Sequence, residues 1–155
     1  MRILECSSAG DKRFSAFYAR VVCFGKLDSI ENHYQSVKRN AKGLPCRKGE
    51  RVAYVEFNGN GYVACPDSKY EPHILTDFYR YLWYKYLSDN PELVAYAKQF
   101  DKFNDMFRGK CINCQADCVE AFVKENNLFY ECIKMLQNYD NQAEEMIKHI
   151  IQKEK

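Results

Sequence analysis

The sequence predicts an α+β fold in which a small antiparallel sheet from the N-terminal half packs on a mainly helical C-terminal half. Three observations carry that expectation. Short β-prone runs bounded by turn residues are confined to the first 65 positions, apolar residues recur at helical spacing from Thr76 onward, and no repeat or low-complexity linker divides the two halves. At 155 residues the chain suits one domain over 1–155 with a single core.

Taken in order, RILEC (2–6) and YARVVCF (18–24) alternate partly and read as strands. DSIENHYQSVKR (28–39) reads as a helix capped by Asp28 or Ser29, and AKGLPCRKGE breaks it. RVAYVEF (51–57), NGNG and YVAC (62–65) form a predicted hairpin, because Asn and Gly accept the positive φ of a tight turn. Thr76 opens DFYRYLWYKYLS, which is apolar on several faces and is therefore expected to be the buried central helix. Asn90 followed by Pro91 starts another helix, predicted to run to Asp105. FRGKCINCQ is a break or short strand, and helices are expected over 116–124, 128–137 and 141–152.

No apolar run approaches the roughly 18 residues needed to cross a bilayer, and MRILECSSAGDKRF lacks the apolar core of a secretory signal. The expectation is a cytoplasmic protein with no membrane partner. On that reading the eight cysteines are reduced thiols rather than a disulfide framework. The net charge of +2 conceals an asymmetry: residues 1–60 hold 11 Lys/Arg against 6 Asp/Glu, and the remainder 12 against 15. The basic half fits either a solvated face or a phosphate-bearing ligand. Twelve Tyr, ten Phe and one Trp supply more ring surface than a core of this size requires, which suits a pocket where bases or sugars stack.

Glu31 admits two readings. Asp28 with Glu31 has the spacing of a capping box, which explains the carboxylate without function. Alternatively, Gln35 and Lys38 share the helical face of Glu31 and present amide and amine beside it, which a cap does not require. A fixed carboxylate of that kind stabilises a cationic sugar or activates water, with Asn32 and Gln35 orienting the ligand. His33, His73 and His149 sit in no catalytic pattern. Cys111, Cys114 and Cys118 have C-x2-C-x3-C spacing but lack an obvious fourth zinc ligand, so no metal is expected. Asp117 either opens the following helix or faces a pocket beside Asn113 and Gln115. In GDKRFSAFYAR, Phe14 and Phe17 are core residues on one reading and part of a phosphate and ring clamp on the other.

The order Phe14-Ser15-x-Phe17-Tyr18, then Gly25, then Ser29-x-Glu31-x-x-x-Gln35-x-x-Lys38 resembles the opening of the NADAR (YbiA-like) family, whose signature runs F-S-N-F-Y, a spaced Gly and E-H-Y-x-Q-x-x-K. Lys85, Asn90, Pro91 and Leu93 also resemble that family's K-F-x-x-N-P-x-L helix. Ala16 stands where the family has Asn, Asn32 where it has His, and the acidic, tryptophan-containing motif near the family's end is missing. The resemblance implies an N-glycosidase acting on an ADP-ribosylated base, nucleotide or nucleic acid, with no cofactor. It implies Glu31 as the catalytic carboxylate, Lys38 and Arg13 near phosphate, and Asn32 and Gln35 on sugar or base. Phe14, Phe17, Tyr18 or Trp83 would be the stacking surface, and Asp101, Asp105 and Asp117 acids in reserve. The alternative is a non-catalytic nucleotide or nucleic-acid binder that sequesters the same ligands.

Overall fold

The structure, a computed structural model, describes residues 1–63, 73–105, 115–124 and 130–154. The chain is α+β. In order it forms β1 (Ile3–Glu5), a 3-10 turn (Lys12–Phe14), β2 (Arg20–Cys23), β3 (Lys26–Ser29), α1 (Ile30–Ser36), β4 (Lys38–Arg39), β5 (Tyr54–Phe57) and β6 (Asn60–Val63). The helical half follows: α2 (His73–Asp89), α3 (Pro91–Ala97), a short β7 (Lys102–Asn104), α4 (Gln115–Val123) and α5 (Tyr130–Glu154).

Among the described residues the strands form three small ladders rather than one antiparallel sheet. β2 and β3 are a hairpin in which Val22 faces Leu27, and β4–β5–β6 is an antiparallel triplet. The third ladder is parallel: Leu4 of β1 aligns with Phe103 of β7. The expected helix from Asn90 to Asp105 therefore ends at Ala97. The amides of Asp101 and Lys102 turn back to the Arg2 carbonyl and deliver the chain to β1. Phe100 and Phe103 suit a helix face as well as a strand, and only β1, distant in sequence, decides between them.

The β5–β6 turn agrees with its reading, with Asn58 and Gly59 at positive φ (47° and 88°) as a two-residue hairpin turn demands. At the β2–β3 turn Phe24 and Gly25 both have positive φ. A Cβ on Gly25 would lie 2.0 Å from Ile147 Cδ1, so this position requires glycine twice over. The segment 141–152 is not a separate helix but the continuation of α5. The expected gap between residues 137 and 141 is closed: Asp140 is buried and turned inward, so a polar residue occupies the packed face.

α2 is the centre of the core. Leu75, Phe78, Leu82 and Trp83 are fully buried on it, with α1, β2, α4 and α5 packed around. Phe78 stacks on Phe24 at 5.9 Å and meets Phe57 edge-on at 4.9 Å. Each such ring removes enough apolar surface from water to contribute about 1.5 to 3 kcal/mol.

Candidate functional site

α1 starts on Ser29, whose Oγ accepts the Asn32 N–H at 3.1 Å. Asp28 Oδ1 accepts the Ser29 N–H and the Asn32 side-chain amide, both at 2.8 Å. Ser29, Asp28 and Asn32 therefore meet the needs of the helix start. Glu31 does not take part, and the capping-box reading of this residue is set aside. Its half-buried carboxylate instead accepts the Gln35 side-chain N–H at 2.9 Å, one turn along the same face.

Lys38 reaches this group by another route than expected. α1 ends at Ser36, because Lys38 and Arg39 pair with Val55 and Tyr54 of β5, so Lys38 begins a strand rather than extending the helical face. It is only 7 % exposed, and its Nζ lies 4.3 Å from the centre of the Tyr34 ring. Burial lowers its pKa below the ordinary lysine value, and the negative charge of Glu31 works against that loss. Carboxylate and amide are thus bonded on α1, and the amine that feels the carboxylate's charge arrives from β4.

Two main-chain bonds fix α1 to the rest of the molecule here. The Ala16 carbonyl accepts the Glu31 N–H at 2.9 Å, and the Ala16 N–H donates to Gln115 Oε1 at 2.7 Å. The turn over residues 14–19 is thereby clamped between the starts of α1 and α4. Gln115 is buried to do this, a role its sequence context did not disclose. From α2, Tyr79 meets Tyr34 edge-on at 5.2 Å and an interplanar angle of 73°. Burial raises the Tyr79 phenol well above its ordinary pKa. Cys118 pushes the same way, as do Glu31 and Asp105 more weakly, while the Trp83 N–H opposes them.

The remaining expected site residues separate. Phe14 is fully buried, stacked 6.3 Å from Tyr96, and has no face for a ligand. Trp83 is likewise 0 % exposed, with Tyr86 edge-on at 5.6 Å, so it too is no stacking platform. Phe17 and Tyr18 are 57 % and 52 % exposed on the clamped turn, and Lys12 Nζ sits 4.9 Å over the Tyr18 ring. Phe17 is therefore not a core residue. Arg13 makes a two-pronged bond to Asp11, at 3.0 and 2.7 Å, and lies 4.5 Å over Tyr96, so its charge is already matched. Asp117 is exposed in the first turn of α4. Asn113, Cys111 and Cys114 lie outside the described residues. Cys118 is buried, and no group of three His, Cys, Asp or Glu among the described residues is arranged to hold a metal ion.

His33 donates from Nε2 to the Val21 carbonyl at 2.8 Å and is buried, which lowers its pKa through desolvation. It ties α1 to β2. Among the described residues no helix is long and apolar enough to cross a membrane.

Sequence reasoning missed Tyr79, which meets Tyr34 of α1 edge-on; six of the twelve residues of DFYRYLWYKYLS are aromatic, and nothing in the sequence distinguishes this one. No protein-family model matches this chain, and no curated protein matches it.

Proposed function

We propose that the protein is an N-glycosidase that cleaves the bond between a ribose, as ADP-ribose or ribose phosphate, and a base. Glu31 is its carboxylate, and an ADP-ribosylated base, nucleotide or nucleic acid its substrate. The observation that supports this reading most is that Glu31 takes no part in capping its helix and is oriented by Gln35 beside the buried charge of Lys38. In such a reaction the C1–N bond breaks with its electron pair on the base nitrogen, and positive charge builds on the sugar. A fixed carboxylate stabilises that charge, then accepts a proton from the water whose oxygen bonds to C1, and the proton passes to the base. Lys38 supplies positive charge for the phosphates, and Phe17 and Tyr18 offer exposed rings on the turn bonded to the first turn of α1.

The reading is tested by incubating the protein with ADP-ribosylated nucleic acids and N-glycosidic nucleotides. Free base together with released ADP-ribose or ribose phosphate is the expected product. Glu31→Gln is expected to abolish turnover with the fold kept. Turnover at the parent rate in that variant removes the catalytic assignment.

A second reading, sequestration without turnover, is favoured by one specific feature. Asn32, which stands where the resembling family has His, spends its amide on Asp28 and so serves the helix start. Recovery of bound ligand intact, from the parent protein as well as from the variant, decides for it.

A further inference from the structure

The basic excess of the first 60 residues collects in the connection between β4 and β5. Residues 38–51, KRNAKGLPCRKGER, hold six Lys/Arg against the single acid Glu50, while the rest of 1–60 holds five against five. Outside this stretch Arg13 is paired with Asp11 and Lys26 with Asp28. Inside it Arg39 reaches Glu56 of β5 at 3.6 Å, whereas Lys42, Arg47 and Lys48 are exposed and form no ion pair among the described residues. Hydrogen bonds fix the backbone that carries these three. Asn40 Oδ1 accepts the N–H groups of Lys42 and Leu44, both at 3.0 Å, and the Arg47 carbonyl accepts the Glu50 N–H at 3.0 Å. One oxygen joins the two turns: Glu50 Oε1 accepts the Asn40 side-chain amide at 3.2 Å and the Arg47 N–H at 3.1 Å. Lys42 is therefore carried beside Arg47 and Lys48, and the one acid of the stretch is spent on holding them there. The bonds from Arg47 and Asn40 lower the Glu50 pKa, and the positive charges of Arg47 and Lys42 act the same way. At its base the connection is tied to β4, where the Lys38 carbonyl accepts the Cys46 N–H at 3.1 Å.

We propose that residues 40–51 form a docking surface for the phosphate backbone of a nucleic acid, independent of base sequence, with Lys42, Arg47 and Lys48 as the phosphate contacts. This goes beyond the N-glycosidase reading, since the surface takes a polynucleotide whether or not it carries ADP-ribose. Like charges held together repel one another, and a polyanion relieves that repulsion while releasing its own counterions, which drives such binding. The Arg47 guanidinium fits a phosphate through two parallel N–H bonds, and each lysine ammonium fits one as a point charge. A polynucleotide offers its charges in succession along one chain, which matches neighbouring cations on two joined turns. A bilayer fits less well. Stable attachment there takes an apolar anchor beside the basic patch, and Leu44 is the one large apolar side chain exposed on this connection.

The test follows the fluorescence anisotropy of a labelled, unmodified DNA single strand of about 16 nucleotides, titrated with the full-length protein at rising salt. Affinity is expected to fall about 20-fold between about 50 and 200 mM salt, the loss for three neutralised phosphates on a single strand. The triple variant Lys42→Ala, Arg47→Ala, Lys48→Ala is expected to bind at least about tenfold more weakly at the lower salt, with most of the salt dependence gone. Lys26→Ala removes an exposed lysine outside the connection and is expected to bind as the parent does. Four results overturn the proposal: no binding at the lower salt, parent-like binding by a folded triple variant, an equal loss in Lys26→Ala, or tighter binding to phosphatidylserine-containing vesicles than to the strand. Should the triple variant fail to fold, Lys48→Ala decides alone, by a salt slope that is lowered by about 0.7 or left unchanged. The strand carries no ADP-ribose, so each of these outcomes leaves the N-glycosidase reading to its own hydrolysis assay.

Discussion

Two lysines are drawn into the interior of this protein and are treated differently. Lys85 of α2 bonds to the Asp140 carboxylate and to the Val22 carbonyl. Asp140 also accepts the Phe24 N–H at 2.8 Å and the Tyr81 hydroxyl at 2.5 Å. That carboxylate is saturated, and the cluster clasps α5 to α2 and to the β2–β3 turn. Lys38 lies over the Tyr34 ring, and Glu31, whose negative charge acts on it, is half-buried and accepts from the Gln35 amide. The contrast separates two uses of a buried charge. A closed pair whose lone pairs are all taken fixes the fold, whereas a carboxylate with capacity left over can serve a ligand.

Substitution at the two carboxylates is the sharpest way to break this contrast. Glu31→Gln is expected to lower turnover by at least about 100-fold and to change stability by no more than about 0.5 kcal/mol, measured as initial rate and as urea midpoint. Asp140→Ala is expected to do the reverse. It leaves the Lys85 ammonium, the Phe24 N–H and the Tyr81 hydroxyl without their acceptor, a loss of about 3 to 5 kcal/mol, or roughly 10 °C in melting temperature. A small shift for Asp140→Ala would show that the clasp is not what holds α5.

Lys38→Met sharpens the comparison through pH. Because the folded pKa of Lys38 lies below its unfolded value of 10.5, the buried charge costs stability at neutral pH, and the cost is relieved as pH rises from the folded pKa toward 10.5. The variant is therefore expected to be the more stable protein near neutrality and to lose this alkaline gain, while binding phosphate-bearing ligands more weakly. Chemical denaturation at neutral and alkaline pH checks the sign.

Ser29→Ala removes the cap that leaves Glu31 available. It is expected to cost about 1 kcal/mol and to disturb turnover through the start of α1, whereas a change at the Asp140 clasp leaves that start alone. The smallest effect concerns His33, which belongs to the fold rather than to the Glu31 face. Its folded pKa lies below the ordinary 6.5, so its share of stability is intact above 6.5 and is lost as pH falls from there through the folded value. His33→Gln is expected to flatten that acid limb of a melting-temperature profile; an unchanged limb would show that His33 protonates freely in the folded chain.

The sequence alone determined the α+β class, the Asn58-Gly59 hairpin, the start of α3 at Asn90-Pro91 and the apolar richness of α2. Each rests on local chemistry: which residues accept positive φ, which lack an N–H and which repeat at helical spacing. It also placed Glu31 and Gln35 one turn apart, because they share a single short helix. Only the tertiary structure decided that Lys38 arrives on a strand, that β7 pairs in parallel with β1, that Asp140 turns inward on an unbroken α5, and that Phe14 and Trp83 are enclosed while Phe17 and Tyr18 are not. In each of those cases the deciding partner is remote along the chain, and a residue's period or propensity carries no record of what will be packed against it.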